Sequence, residues 1–168
     1  VNKGDREMQF KECYQNPFIE ERAAPYITLG PDGFYYFTAS YPMKSADDKD
    51  GYDRVILRRA KDISELTSAE EITIWKVADT TLTHRFIWAP ELHYIAGRWY
   101  VFYAGSEDKE NNWAFDCHVL VCDCDDPYTG TWSEKGKFQK REDDDFSFTG
   151  FSLDMTYFED GGRSYVIC

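Results

Sequence analysis

No stretch of the 168-residue sequence approaches the ~20 consecutive apolar residues of a membrane-spanning helix. Val1 to Phe10 is too polar to form the apolar centre of a signal peptide. Both features predict a soluble, cytoplasmic chain, or a secreted one if an upstream leader preceded Val1. Positive charge is scarce: 19 Lys plus Arg face 31 Asp plus Glu, for a formal charge of −12. Such a field repels phosphate backbones and anionic headgroups, so neither nucleic acid nor a membrane is an expected partner. The five cysteines (Cys13, Cys117, Cys122, Cys124 and Cys168) are odd in number and follow no framework spacing. They therefore read as reduced thiols rather than the staples of a small secreted module. Phosphate-binding loops, dinucleotide-binding turns and nucleophile elbows are missing as well.

Aromatic residues, in contrast, make up 17% of the chain, with twelve Tyr, twelve Phe and five Trp. Disordered chains are poor in such residues, so this composition predicts a folded unit. It also fits a carbohydrate handler, because aromatic faces pack on the C–H faces of sugar rings while carboxylates bind sugar hydroxyls.

One pattern occurs three times: a short alternating apolar run, a Gly turn, and a second run rich in Tyr, Phe or Val. The copies span Pro25 to Phe37, Pro90 to Phe102 and Asp154 to Val166. Gly33, Gly97 and Gly162 supply the positive φ that tight connections need, and they recur after 64 and then 65 residues. Two further strand-like runs follow the first hairpin (Arg54 to Arg58, Ile72 to Trp75) and two follow the second (His118 to Cys122, Thr131 to Ser133). Four antiparallel strands at a fixed period are the signature of a β-propeller blade, so an all-β propeller is expected. At about 64 residues per blade the chain holds about two and a half blades. Blade 1 would cover about residues 16–80, blade 2 about 81–145 and the start of blade 3 about 146–168. Another polypeptide, the rest of the same product, would complete the ring. Within Ala60 to Glu71, Asp62 and Ser64 are N-cap residue types and predict a helical turn.

The starts of the innermost strands are where a propeller site is expected. These are Ala24-Pro25, Ala89-Pro90-Glu91 and Leu153-Asp154, so equivalent positions carry Ala24, Glu91 or its neighbour, and Asp154. The same end collects Tyr41, Asp53, Trp113, Phe148 and Phe151 as funnel walls. Each candidate has a plainer alternative. Trp88 either shapes a sugar subsite or is a buried structural indole, and Glu91 binds sugar hydroxyls or a neighbouring Arg. Asp53 is a rim carboxylate or a turn residue. Trp113, in the polar loop Glu107 to Trp113, is a platform for distal sugars or simply exposed. Cys117, His118, Cys122 and Cys124 include zinc-ligand types, but strand alternation puts His118, Cys122 and Cys124 on one face and Cys117 on the other. Packed small residues are expected there, and no metal site. The segment Asp47 to Gly51 lacks the bidentate Glu of a calcium loop.

The blocks Arg22 to Ile27, Asp32 to Ser40, Tyr52 to Ala60, Ile87 to Tyr100 (with Trp88-Ala-Pro-Glu) and Ser152 to Phe158 together resemble glycoside hydrolase family 43, from about Asn16 to Cys168. The resemblance implies a five-bladed propeller and a single catalytic domain. It further implies inversion at the anomeric carbon and arabinofuranosides or xylosides as substrates, the α-L-arabinofuranosidases being most similar. β-Xylosidase and endo-arabinanase are alternatives of the same family, and a non-catalytic carbohydrate-binding propeller is an alternative of another kind. An inverting glycosidase needs a carboxylate base and a protonated acid about 6.5–9.5 Å apart. By the resemblance, Ala24 stands at the general-base position, where the family has Asp, and Asp154 matches the carboxylate that tunes the acid's pKa. The acid Glu belongs to a later blade. The chain as written is therefore expected to be inactive. No cofactor is expected, and a structural cation, if held, would use ligands of later blades.

Overall fold

A computed structural model describes residues 14–168 apart from 46, 49, 81, 84, 109 and 112. It contains ten β-strands and, among the described residues, two short 3-10 turns. The strands are β1 (Ala23–Leu29), β2 (Tyr35–Ser40), β3 (Arg54–Ala60), β4 (Ile72–Lys76), β5 (Arg85–Ile95), β6 (Arg98–Ser106), β7 (Phe115–Cys122), β8 (Trp132–Lys137), β9 (Thr156–Asp160) and β10 (Arg163–Ile167). They form two four-stranded antiparallel meanders, β1-β2-β3-β4 and β5-β6-β7-β8, and the hairpin β9-β10.

Turn chemistry sets the hairpins. Ala96-Gly97 and Gly161-Gly162 each put two consecutive residues at positive φ between directly paired strands, the geometry that matches strand twist in a two-residue connection. The helical turn expected near Asp62 is present at Ile63–Thr67, with the Asp62 carboxylate accepting from the Ser64 N–H at 2.8 Å. Among the described residues no helix is long and apolar enough to cross a membrane.

Alternation along the strands sends side chains to both faces of each sheet. Tyr36, Val55 and Leu57 of the first sheet meet Ile87, Leu92, Trp99, Val101 and Leu120 of the second in one buried core. The opposite face of the first sheet carries Phe37, Ala39 and Ile56, covered by Phe18, Ile19 and Leu66. The far face of the second sheet packs Phe102 and Cys117 on Met155 and Tyr157. The three sheets thus stack face to face in chain order, as blades do. Their first strands converge: the Tyr26 ring (β1) lies 5.2 Å from His93 (β5), which lies 5.9 Å from Tyr157 (β9). Apolar side chains stay exposed at the two ends of the stack, Ile27 and Leu29 at one and Phe158, Val166 and Ile167 at the other.

Candidate active site

Near the start of each first strand a non-glycine residue adopts the left-handed conformation at 65-residue spacing: Ala24 (φ 45°), Ala89 (φ 43°) and Asp154 (φ 55°); β5 carries a second one, Phe86 (φ 59°). Strand pairing slips at the first two, between Ala23 and Tyr26 and between Trp88 and Glu91, which marks a β-bulge that bends the strand and re-aims the side chain. The equivalent position in the second sheet is therefore Ala89, and Glu91 sits two residues further in. Pro90, which has no N–H to lose, occupies the irregular register without cost to the ladder. The bulge takes the Ala89 N–H out of the ladder, and Ser40 Oγ at the end of β2 accepts it at 2.8 Å. Ser40 also pairs across from Ala23, so the two bulges are stitched to one another. A left-handed conformation costs an alanine about 1–2 kcal/mol, whereas Asp and Asn adopt it several-fold more readily.

The start of β1 is clamped by charge. Arg22 donates through both Nε, at 3.1 Å, and Nη2 to the carboxylate of Glu71, which also accepts from Arg58 Nε at 3.0 Å. Burial alone would raise the Glu71 pKa, but the two guanidiniums outweigh it and hold the carboxyl below its ordinary value. Arg22 and Arg54 both lie over the Tyr41 ring, at 4.3 and 4.5 Å. Ala24 itself is exposed, as is Asp154. Further along β5, Glu91 Oε2 is 3.0 Å from His93 Nε2, and Tyr26 Oη is 3.5 Å from His93 Nδ1. Burial, then the charge of Glu91, raises the pKa of Tyr26. Glu91 is thus engaged by a histidine rather than an arginine.

Three of the predicted aromatics are brought together, and a residue that sequence reasoning missed does it. Phe115, at the start of β7, stacks on Trp88 with 4.3 Å between ring centroids and meets Trp113 at 6.4 Å and Phe151 at 6.0 Å, both edge-on. Tyr52 and Phe86 extend the cluster through Trp88, and Phe86 also stacks toward Phe115 at 6.3 Å. Trp113 and Phe151 remain 67% and 57% exposed, which suits contact surfaces, while the Trp88 Nε1 is buried without a partner. A cleft of about 440 Å³ is lined by Asn111, Trp113, Phe115, Asp116, Phe148 and Phe151. The strand-like run read from the sequence starts at His118, three residues past Phe115, so no signal marked this residue. Larger cavities of about 670 and 560 Å³ lie against residues 14–20, on the side of the first sheet away from the second.

Asp53 stands apart from this group. Both of its carboxylate oxygens accept from its neighbour Arg54, Oδ1 from Nε at 2.6 Å and Oδ2 from Nη2 at 3.0 Å. Cys117 and His118 point to opposite faces of β7: Cys117 packs beside Met155, and His118 is fully buried against Tyr103. Burial lowers the His118 pKa against the pull of Glu107, Glu134 and Asp116. Cys117, Cys122, Cys124 and Cys168 are free thiols, and Cys13 lies outside the described residues. Among the described residues, the one group of His, Cys, Asp and Glu side chains close enough to share a cation is Cys122, Asp123 and Cys124, and none of these lies in the site.

The family model described as "Glycosyl hydrolases family 43" matches residues 14–168, the whole of the described chain. This chain belongs to glycosyl hydrolases family 43. It is 39% identical over 153 residues to an extracellular exo-α-(1→5)-L-arabinofuranosidase of Streptomyces chartreusis, covering 91% of this chain and 42% of the relative. It is 40% identical over 154 residues to α-L-arabinofuranosidase 43 of Humicola insolens, covering 92% and 29%. The crystal structure of an α-L-arabinofuranosidase from Lactobacillus brevis matches with a TM-score of 0.75 at 35% identity, over 91% of this chain and 45% of that one. The chain thus spans less than half the length of each.

Proposed function

We propose that this chain is the N-terminal part of an inverting glycosidase that releases arabinofuranosyl, or xylosyl, residues from cell-wall saccharides, and that Ala24 leaves it without its general base. One observation carries the reading: Ala24 and Asp154 hold equivalent left-handed positions at the starts of two converging strands, one with a methyl group and the other with a carboxylate. In an inverting reaction the base takes a proton from water as the water attacks the anomeric carbon, while an acid protonates the leaving oxygen. A methyl group neither accepts that proton nor orients the water. In this reading Asp154 acts on the acid, raising its pKa by charge repulsion so that it stays protonated near neutral pH. Trp88, with Trp113 and Phe151 around Phe115, offers apolar faces for sugar rings, and Glu91 polar contacts. Asp53 is the weakest member of the set, because Arg54 already occupies its carboxylate.

The acid, and the ligands of a structural cation if one is held, would come from later blades of a five-bladed ring. Residues 1–168 would then form about the first two and a half blades of a single catalytic domain. The exposed apolar ends of the sheet stack support this, since each is a face that a further blade would cover. The extracellular naming of the Streptomyces relative favours secretion over the cytoplasm.

A carbohydrate-binding propeller is the second reading, favoured by the exposed aromatic group around Phe115 in a chain whose base position carries a methyl group. The deciding experiment restores the carboxylate with Ala24→Asp in the full-length protein and follows hydrolysis of an aryl arabinofuranoside. A large gain supports the enzyme. Persistent inactivity with retained sugar binding supports the binding module.

A further inference from the structure

The β7–β8 connection joins the two large sheets. Its Asp126 carboxylate accepts from Arg59 Nη1 of the first sheet at 2.9 Å through each oxygen, and from the Tyr128 N–H and the Thr129 hydroxyl at 2.9 and 3.0 Å. Arg59 lies between the rings of Phe34 and Tyr128. The Trp99 and Trp132 indoles donate to the Asp125 and Pro127 carbonyls. The turn is closed by Asp123 and Thr131, each donating its N–H to the other at 3.0 and 2.9 Å.

Two sulfurs lie beneath this turn. The Cys122 and Cys124 thiols are 3.9 and 3.6 Å from the same acceptor, the Asp126 carbonyl, and within 4.8 Å of each other. The space they share exists because residue 130 is glycine: a Cβ there would sit 2.2 Å from Cys122 Sγ and 2.7 Å from Cys124 Sγ. Strand alternation alone would keep the sulfurs of residues i and i+2 farther apart, but the chain bends directly after Cys122. One thiol is buried and the other exposed.

We propose that Cys122 and Cys124 form a dithiol modification site that closes to an intrachain disulfide by exchange with a small-molecule disulfide such as oxidised glutathione. The exposed Cys124 meets the oxidant first. Its thiolate attacks one sulfur of the small disulfide, giving a mixed disulfide and one released thiol. Cys122, after losing its proton, attacks the Cys124 sulfur and expels the second thiol. Two protein thiols are oxidised and one small disulfide is reduced to two thiols. Burial pushes the Cys122 thiol up to about 11, so closure quickens as pH rises. The Asp123 carboxylate between them accepts from the Thr131 N–H through Oδ1.

The test equilibrates the full-length protein in glutathione buffers of increasing oxidising poise and quenches it with an alkylating agent in denaturant. After reduction, a second alkylating agent is added and each cysteine is read by mass spectrometry. Cys122 and Cys124 should acquire the second label together, in equal fraction, with no glutathione retained on either. Cys122→Ser should trap glutathione on Cys124, and the exposed substitution Cys124→Ser should abolish the second label on Cys122. The proposal is overturned if both thiols keep the first label at the most oxidising poise, or if each carries its own glutathione. It is equally overturned if the second label appears on Cys117 and Cys168, whose thiols also interact, while Cys122 and Cys124 stay unmodified.

Discussion

Ser40 Oγ accepts the Ala89 N–H at 2.8 Å, linking the last residue of β2 to the bulge that opens β5. The bond satisfies a donor that the bulge removes from the ladder, and it fixes the second sheet's site position relative to the first. Ser40→Ala should therefore destabilise the fold by about 1–3 kcal/mol, the cost of leaving a buried donor unmade. Denaturant unfolding of the two proteins measures it, and a midpoint unchanged from the parent would refute the linkage.

Ala24→Asp should behave unlike most substitutions at a bulge. The new residue tolerates φ 45° better than alanine does, and the position is exposed, so stability should hold or rise slightly. In the full-length protein, kcat on an aryl arabinofuranoside should increase by about 10²–10⁴-fold, the usual worth of a general base. The paired readouts matter, because a gain in activity with a fall in melting temperature would contradict the conformational argument.

Glu71 binds two guanidiniums at the root of β1, with only 18% of its side chain accessible. Glu71→Gln leaves Arg22 and Arg58 underpaired and should cost about 2–3 kcal/mol at neutral pH. Because the folded-state pKa lies below the ordinary 4.5, this stabilisation is present above that value and is lost as pH falls through the folded pKa. Unfolding curves taken from pH 7 downward should show the difference between parent and variant shrinking below about pH 4.5. A gap independent of pH would mean that the charge is not its source.

Two tryptophans of one cluster should separate cleanly. Trp113 is 67% exposed, so Trp113→Ala should change stability by less than about 1 kcal/mol while weakening binding of arabino-oligosaccharides. Trp88 stacks on Phe115 at 4.3 Å, and Trp88→Ala should cost about 3–5 kcal/mol. Calorimetric titration of sugar into the full-length protein, alongside thermal unfolding, distinguishes the two. Equal stability losses would place Trp113 in the core instead.

The hairpins, the four-strand grouping and the cap at Asp62 were all legible in the sequence because each rests on local chemistry: paired glycines, alternation, a side chain two residues from an N–H. The bulges were not. Ala24 and Ala89 take a conformation usually marked by Gly or Asn, and nothing in an Ala-Pro dipeptide announces it. Phe115 was hidden for a different reason, since its stacking on Trp88 depends on how β5 and β7 align across β6. Asp53 reads from sequence as a rim carboxylate or a turn residue, and its bond to the guanidinium of Arg54 next to it is a side-chain geometry that the sequence does not encode. The Cys122–Cys124 approach needed the bend after β7 and the void at Gly130, neither of which strand periodicity encodes.

The hairpin β9-β10 leaves Phe158, Tyr165, Val166 and Ile167 between 39% and 54% accessible. Two strands alone make a marginal sheet, and an uncovered apolar ribbon with free backbone groups recruits whatever strand it meets. In solution that end should be sticky, forming larger particles as concentration climbs unless the ribbon is covered.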